Sequence, residues 1–593
     1  MMSGAGDMKD KIIAKHRLDI LIAGVLLVLV LSVLVLSAVP PVSRDALTHH
    51  LAVPKLWLKS GSMSEIPAVV FSYYPMNLDL LYLIPLYFGN DIIPKYIHFA
   101  FALLTAGLIF AFLKDRTAKT HFGLLGALLF LSLPMILKLS ITVYVDLGLV
   151  FFSTAALLYV LKWAANGNQI RHLLIAGFFC GLGLGTKYNG LISLFLITCF
   201  IPVIYLRANL QTDDADDGPV HTTRRQKNTT GMVSLRALQA GALFVSISLL
   251  VFSPWMIRNF HWTGNPVYPL YQKAFNAVHL ADTEPELIAG LAAEQNMETA
   301  SDRLGHFALR KKVFNETFVE LITTPVRIFF QGRDDNPKYF DGQLNPYLFL
   351  LPFLTIFGFK KLSKQHKREN LALLSFSVLF LLYTFFQVDM RIRYIAPIIA
   401  PLVILSVIGL HQTVTLIQHK WTGAGRRVGL TLLAAAVMGL LTINAHYLVK
   451  QFRYVDPISY LSGQIGRDNY IKKYRKEYAA IQFINHQLPP NTRLLALYLG
   501  KRIYYSDREM VSNDALFKKL IAAASSADAL AETLRSRDFT HLLIRFDYFR
   551  YFIFDYLSEE KRNVFRDFLE TRTNQLFSEG VYYVFEITGS RNL

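Results

Sequence analysis

Cysteine is nearly missing from this chain: its 593 residues hold two, Cys180 and Cys199, both inside apolar stretches. Two such residues supply no disulfide framework and no thiolate metal cluster. Charge is scarce as well. Asp, Glu, Lys and Arg make up 18% of the chain, against about 25% in soluble domains, which excludes an ordinary water-soluble enzyme. The signatures of common soluble catalysts are missing too. There is no Walker A motif, no HExxH, no GxSxG and no GxGxxG in a strand–helix setting. Gly181-x-Gly183-x-Gly185 lies in apolar sequence, where small residues permit close helix packing. Asn228 and Asn315 open glycosylation triplets, which are common by chance.

What is plentiful is apolar sequence. The first run, 18–39, carries a single charge, Asp19, at its start. It is long enough to cross a bilayer, which takes about 20 helical residues, and it lacks the cleavage site of a signal peptide. Further apolar segments lie near 92–113, 121–139, 146–163, 172–186, 189–206, 235–255, 345–359, 371–388, 394–410 and 428–448. A shorter one, 74–88, is interrupted by Pro75 and Pro85.

The net charge of +18 would suggest nucleic acid in a soluble protein. Here the basic residues cluster in short loops: Lys114, Arg116 and Lys119; Arg207, Arg224, Arg225 and Lys227; Lys360 to Arg368; His419, Lys420, Arg426 and Arg427. Topology under the positive-inside rule accounts for them, without a nucleic-acid partner. With the N-terminus cytoplasmic and 74–88 not crossing, all four loops fall on the cytoplasmic side. Two further helices would preserve that parity, so the expectation is an α-helical polytopic membrane protein of 11–13 transmembrane helices. Residues 1–450 then form the membrane domain, with external loops at 40–73 and 256–343 and a polar cytoplasmic loop at 211–231. Residues 451–593 form a small extracytoplasmic α/β domain, with a helix at 477–487 and strands at 493–499, 541–545 and 581–587.

Several ionisable residues fall on the external side. Asp45, just past the first helix, is followed four residues later by His49 and then His50. A carboxylate there could serve as general base on an acceptor hydroxyl, with either histidine orienting it or binding phosphate. It could also cap a juxtamembrane helix, and spacing alone favours the cap. Asp146 opens an apolar helix, as a functional acid or a first-turn acid near the positive helix end. Lys187, between two apolar runs, could hold a phosphate or snorkel to water. Arg258, Arg391 and Arg393, with Tyr394, suit either phosphate binding through the planar guanidinium fork or interfacial anchoring.

The order of these pieces resembles the membrane glycosyltransferases of the C-type fold (GT-C), especially the bacterial relatives of the dolichyl-phosphate-mannose protein mannosyltransferases and of the lipid A aminoarabinose transferase. The resemblance runs through Asp45, Gly61, Tyr74-Pro75, Pro134, Asp146, 186–191 (TKYNGL), 254–259 (PWMIRN), 264–266 (GNP), Arg393-Tyr394 and Pro397 to an outward C-terminal domain. It implies inverting transfer of a single sugar from a polyprenyl-phosphate donor to a lipid, glycan or protein acceptor, outside the cytoplasmic (inner) membrane. Asp45 would be the base, Asp146 a second acidic contributor, and Lys187, Arg258, Arg391 and Arg393 the carrier-phosphate ligands, with His49, His50 and Tyr394 beside them. Many relatives carry Asp-Glu where this chain has Asp45-Ala46, and Tyr-Pro-Pro-Leu where it has Tyr74-Pro75-Met76-Asn77. Some members need a divalent metal ion and others do not, so no cofactor is fixed. The rival readings are a flippase of lipid-linked sugars and an oligosaccharide ligase on the same carriers. Transporters usually show related halves, which are not evident here. The ligase shares the same helices and charges.

Overall fold

The computed structural model describes residues 3–209, 223–272, 274–275, 305–386 and 390–588. Of the polar loop expected at 211–231 and the external loop at 256–343, residues 211–222 and 276–304 lie outside the described residues.

Within the described residues, all eleven apolar segments are helical, for want of any other way to satisfy backbone N–H and C=O groups in lipid. Eight are long and apolar enough to cross a membrane: Arg17–Ser37, Ile93–Thr117, Asp146–Ala165, Gly190–Arg207, Met232–Thr263, Lys364–Phe386, Ile392–Lys420 and Gly423–Val455. The remaining three explain the distance from the expected eleven to thirteen. Thr120–Ser132 and Pro134–Ser140 form a pair bent by 68°, where Pro134 denies the helix an N–H. Ile170–Leu184 has fifteen residues, about 23 Å at 1.5 Å per residue. The run near 345–359 breaks into Tyr347–Leu350, Leu351–Leu354 and Thr355–Gly358, with Pro352 inside it.

The segment at 74–88 becomes helix Asn77–Tyr87, eleven residues with Pro85 inside. That reaches about 16 Å, half of a hydrocarbon core of about 30 Å, so it does not cross by itself. The membrane helices enclose one large apolar core to which Leu36, Phe130, Ile136, Phe376 and Val403 all contribute.

The C-terminal part carries a five-stranded mixed sheet in the order β2-β1-β3-β5-β4, with β1 Arg493–Leu497, β2 Glu509–Ser512, β3 His541–Arg545, β4 Thr573–Glu579 and β5 Tyr582–Ile587. Strand β1 runs parallel to β2 and β3, while β5 is antiparallel to β3 and β4. Helices Asp514–Ala523, Ala527–Arg535 and Glu559–Arg572 bury Phe517, Leu530 and Phe565 in the same apolar cluster as Leu495, Leu542 and Phe585 from the sheet.

A short loop of this unit, 500–508, reaches back onto the first external loop. The amides of Ile503 and Tyr504 both donate to the Leu47 carbonyl at 3.1 Å. Lys55 Nζ donates to the carbonyls of Tyr504 and Ser506 and pairs with Asp507 at 2.8 Å. Tyr505 Oη donates to the Pro41 carbonyl.

Candidate active site

Asp45 does not cap a helix through its side chain. It precedes a π-helical turn, Ala46–His50, and makes no capping hydrogen bond. The turn closes through Leu51 N–H donating to Ala46 C=O at 2.9 Å, and π turns are rare and concentrate at functional sites. The wider turn leaves the Leu47 carbonyl to the two amides from the C-terminal unit. Ala46 is fully buried.

The Asp45 carboxylate pairs with the Arg393 guanidinium. Burial by itself would raise the Asp45 carboxyl, but Arg393, His49 and His50 outweigh it and hold the group well below the usual carboxylate range. Arg393 also lies over the rings of Tyr144 and Tyr394, at 5.4 and 5.3 Å. Lys187 Nζ pairs with Asp146 Oδ1 at 2.7 Å and sits 5.4 Å from the centre of the Tyr394 ring. The second Asp146 oxygen is buried without a hydrogen-bond donor among the described residues. Two acids and two cations thus meet around Tyr394, so both cations are masked by carboxylates that a phosphate can displace.

The two histidines differ. His50 Nδ1 lies 2.7 Å from Asp79 Oδ1, and both groups are buried. Burial lowers His50 to about 4 and raises Asp79 to about 7, so the pair is net neutral, sharing one proton. His49 stacks on Phe71 at 4.3 Å, and its Nδ1 has no partner among the described residues. Asp79 is the site residue that sequence reasoning missed. Its signal is a lone acid in the apolar stretch 74–88, the same criterion that picked out Asp146.

Of the sequence candidates, the structure brings together Asp45, His49, His50, Asp146, Lys187, Arg393 and Tyr394. Arg258 stands in an adjoining aromatic layer, its guanidinium 4.4 and 4.6 Å from the rings of Trp255 and Trp262, donating to Tyr74 C=O and Asn259 Oδ1. Its Nη1 is buried and unpartnered among the described residues. Asn259 ties that layer together, donating to Tyr73 and Tyr268 carbonyls and to Tyr188 Oη. Arg391 turns aside to Asp341, 3.7 Å away, which also neighbours Lys138. No group of three or more His, Cys, Asp or Glu residues converges to a metal-binding geometry among the described residues.

Residues 69–257 match the family model described as dolichyl-phosphate-mannose-protein mannosyltransferase. No curated protein matches the sequence. Among solved structures, the chain is similar to ArnT from Cupriavidus metallidurans bound to undecaprenyl phosphate, and to the same protein in the apo state. Each comparison gives 14% identity and a TM-score of 0.53 over 96% of this chain and 99% of that one. The archaeal oligosaccharyltransferase AglB from Archaeoglobus fulgidus, in complex with an inhibitory peptide and a dolichol-phosphate, aligns over 94% of this chain and 74% of that one, at 13% identity and a TM-score of 0.47.

Proposed function

We propose, for a chain that has the C-type membrane glycosyltransferase fold, that it transfers a single sugar from a polyprenyl-phosphate donor to an acceptor, with inversion, at the extracytoplasmic face of the cytoplasmic membrane. The observation that carries this reading is the paired arrangement Asp45–Arg393 and Asp146–Lys187 around Tyr394. A carrier phosphate entering there takes over Lys187 and Arg393. This neutralises the charge that develops on the leaving phosphate, which then needs no strong general acid. The same exchange frees Asp45 from its guanidinium, and the carboxylate accepts the proton of the acceptor hydroxyl as that oxygen attacks the anomeric carbon. Attack opposite the departing phosphate inverts the centre.

Asp146 keeps Lys187 aimed at the site, and Arg258, with its unpartnered Nη1, serves the same anion from the aromatic layer. Arg391 is assigned to the Asp341 cluster instead. No resident metal ion is part of the proposal.

Purified protein incubated with radiolabelled polyprenyl-phosphate sugars and a membrane extract tests the reading, with Asp45→Asn alongside. Transfer by the wild type and its loss in the variant support both the reaction and the base. Equal transfer by both keeps the enzyme and removes Asp45 from its role. Carrier binding without transfer from any donor turns the assignment to a flippase or ligase.

A further inference from the structure

The second external loop holds a pocket that the proposed reaction does not use. It encloses about 380 Å³ and is lined by Arg327, Phe330, Gln331, Arg333, Lys338 and Tyr339, with Glu320 at its side. Its charges are unbalanced. Glu316 is already bidentate on the buried Arg310, at 2.6 and 2.8 Å, with Arg327 a further neighbour at 3.3 Å. Glu320, the one acid in the lining, accepts from the backbone N–H and hydroxyl of Thr317. Among the described residues, no carboxylate pairs with Arg333 or Lys338, and the Arg333 guanidinium lies 4.5 Å over the Tyr339 ring. Three cations therefore share a cavity whose one carboxylate, Glu320, is already engaged by Thr317, which leaves the lining in cationic excess.

The chain leading into the pocket is apolar on its outer side. Phe318, Val319, Ile322, Val326 and Phe330 are all exposed, Phe318 by 72%, along helices Phe318–Ile322 and Thr324–Arg327. A row of large exposed apolar side chains beside clustered cations is the composition of a segment lying in a membrane interface. Phe330 belongs to both the row and the pocket.

We propose that this pocket binds the phosphate of an anionic membrane phospholipid, whose acyl chains lie along the row from Phe318 to Phe330. The chemistry is complementary at both ends: guanidinium and ammonium for the phosphate oxygens, apolar side chains for the lipid tails. The site also adjoins the catalytic cluster. The pocket's strap is closed by Arg333 N–H donating to Tyr339 C=O and Gly342 N–H donating to Arg333 C=O. Phe340 C=O on that strap accepts from Ile392 N–H at 2.9 Å, one residue before Arg393. A bound lipid steadies the strap on which the backbone at Arg393 is hung.

The test is photo-crosslinking of the full-length protein in phosphatidylcholine nanodiscs containing photoreactive phosphatidylglycerol, with adducts mapped by peptide mass spectrometry. Adducts are expected on 318–340, competed by unlabelled phosphatidylglycerol. Loss of two interfacial cations in Arg333→Gln/Lys338→Gln should reduce them about tenfold or more, with thermal unfolding unchanged. The charge-preserving pair Arg333→Lys/Lys338→Arg should keep most of the labelling. Equal labelling of wild type and the glutamine variant overturns the proposal. So does equal labelling by a photoreactive phosphatidylcholine, which would show no selection for an anionic headgroup. Displacement by inorganic phosphate alone would mark a free-anion site and remove the lipid from the assignment.

Discussion

At the residue scale, the pairing of acids with cations carries sharp consequences. Arg393→Gln takes away the guanidinium that balances Asp45 and leaves that carboxylate partly buried without a partner. Transfer should fall by about 100-fold or more, as for loss of a positioned electrostatic group. Arg393→Lys keeps the charge but not the fork and should recover only part of the rate, measured as kcat on a fixed donor. The His50–Asp79 pair makes a signed prediction about pH. His50 is lowered to about 4 from 6.5, so between those values the unfolded chain binds a proton the folded one refuses, and stability falls as pH falls. Asp79 is raised to about 7 from 3.8, so the folded chain holds the extra proton over the same window, and stability rises as pH falls. The two offset between about pH 4 and 6.5. Asp79→Asn removes one side of that balance. Its unfolding temperature should drop further than that of the wild type on going from pH 6.5 to pH 4.5. A parallel response in both proteins would refute the shared proton.

At the scale of elements, the Ala46–His50 turn is not held by its own segment alone. The Leu47 carbonyl is taken by two amides of the C-terminal unit, and Lys55 ties the next helix to the same loop. Lys55→Met should therefore lower kcat by about tenfold, the scale of a modest misplacement of a reacting group, while donor KM changes little. A rise in KM without loss of kcat would show that the loop serves donor binding instead. Gly185 supports the other wall. A Cβ there would collide with the Asn77 amide, which donates to Leu182 C=O and accepts from Trp255 Nε1. Gly185→Ala should cost about 1–3 kcal/mol by overpacking, read as a lowered unfolding temperature.

Elements also show what the sequence could convey. Hydropathy located every apolar helix, because each carries enough apolar residues to register on its own. It did not separate the breaks at Pro134 and Pro352, where proline removes a backbone N–H, from prolines carried inside a helix, as at Pro202 and Pro254. Strands β1, β3 and β5 announced themselves as apolar runs. Strand β2 has only four residues, and β4 is an edge strand whose exposed residues show no alternation. The site was legible as a set of residues on one face, since topology alone sorts them. Which cation meets which acid was not: Arg393 lies 348 positions from Asp45, and only the fold chooses it over Arg391. Asp79 carried the lone-acid signal of Asp146 in the short stretch 74–88 and went unread, and its pairing with His50, 29 positions away, is set by the fold.

For the whole molecule, function depends on which way the bundle faces. The final membrane helix, Gly423–Val455, has 33 residues, about 50 Å at 1.5 Å per residue, and exceeds the hydrocarbon core of about 30 Å. It can carry the chain from the basic loop around Arg426 and Arg427 through the bilayer to the C-terminal unit, which docks on the Asp45 loop. Those two ends must therefore lie on opposite sides, and the positive-inside rule puts the basic end in the cytoplasm. The test uses a protein with Cys180 and Cys199 replaced by Ala and a single cysteine restored at Thr422 or Ser462, both exposed. In intact cells, a membrane-impermeant maleimide should label Ser462→Cys and spare Thr422→Cys, with the pattern reversed in inverted vesicles. The opposite result would leave the fold and the residue pairs standing but turn the Asp45 cluster toward the cytoplasm. Labelling of both from one side would mean that Gly423–Val455 does not cross, which contradicts the parity that short helix Asn77–Tyr87 imposes.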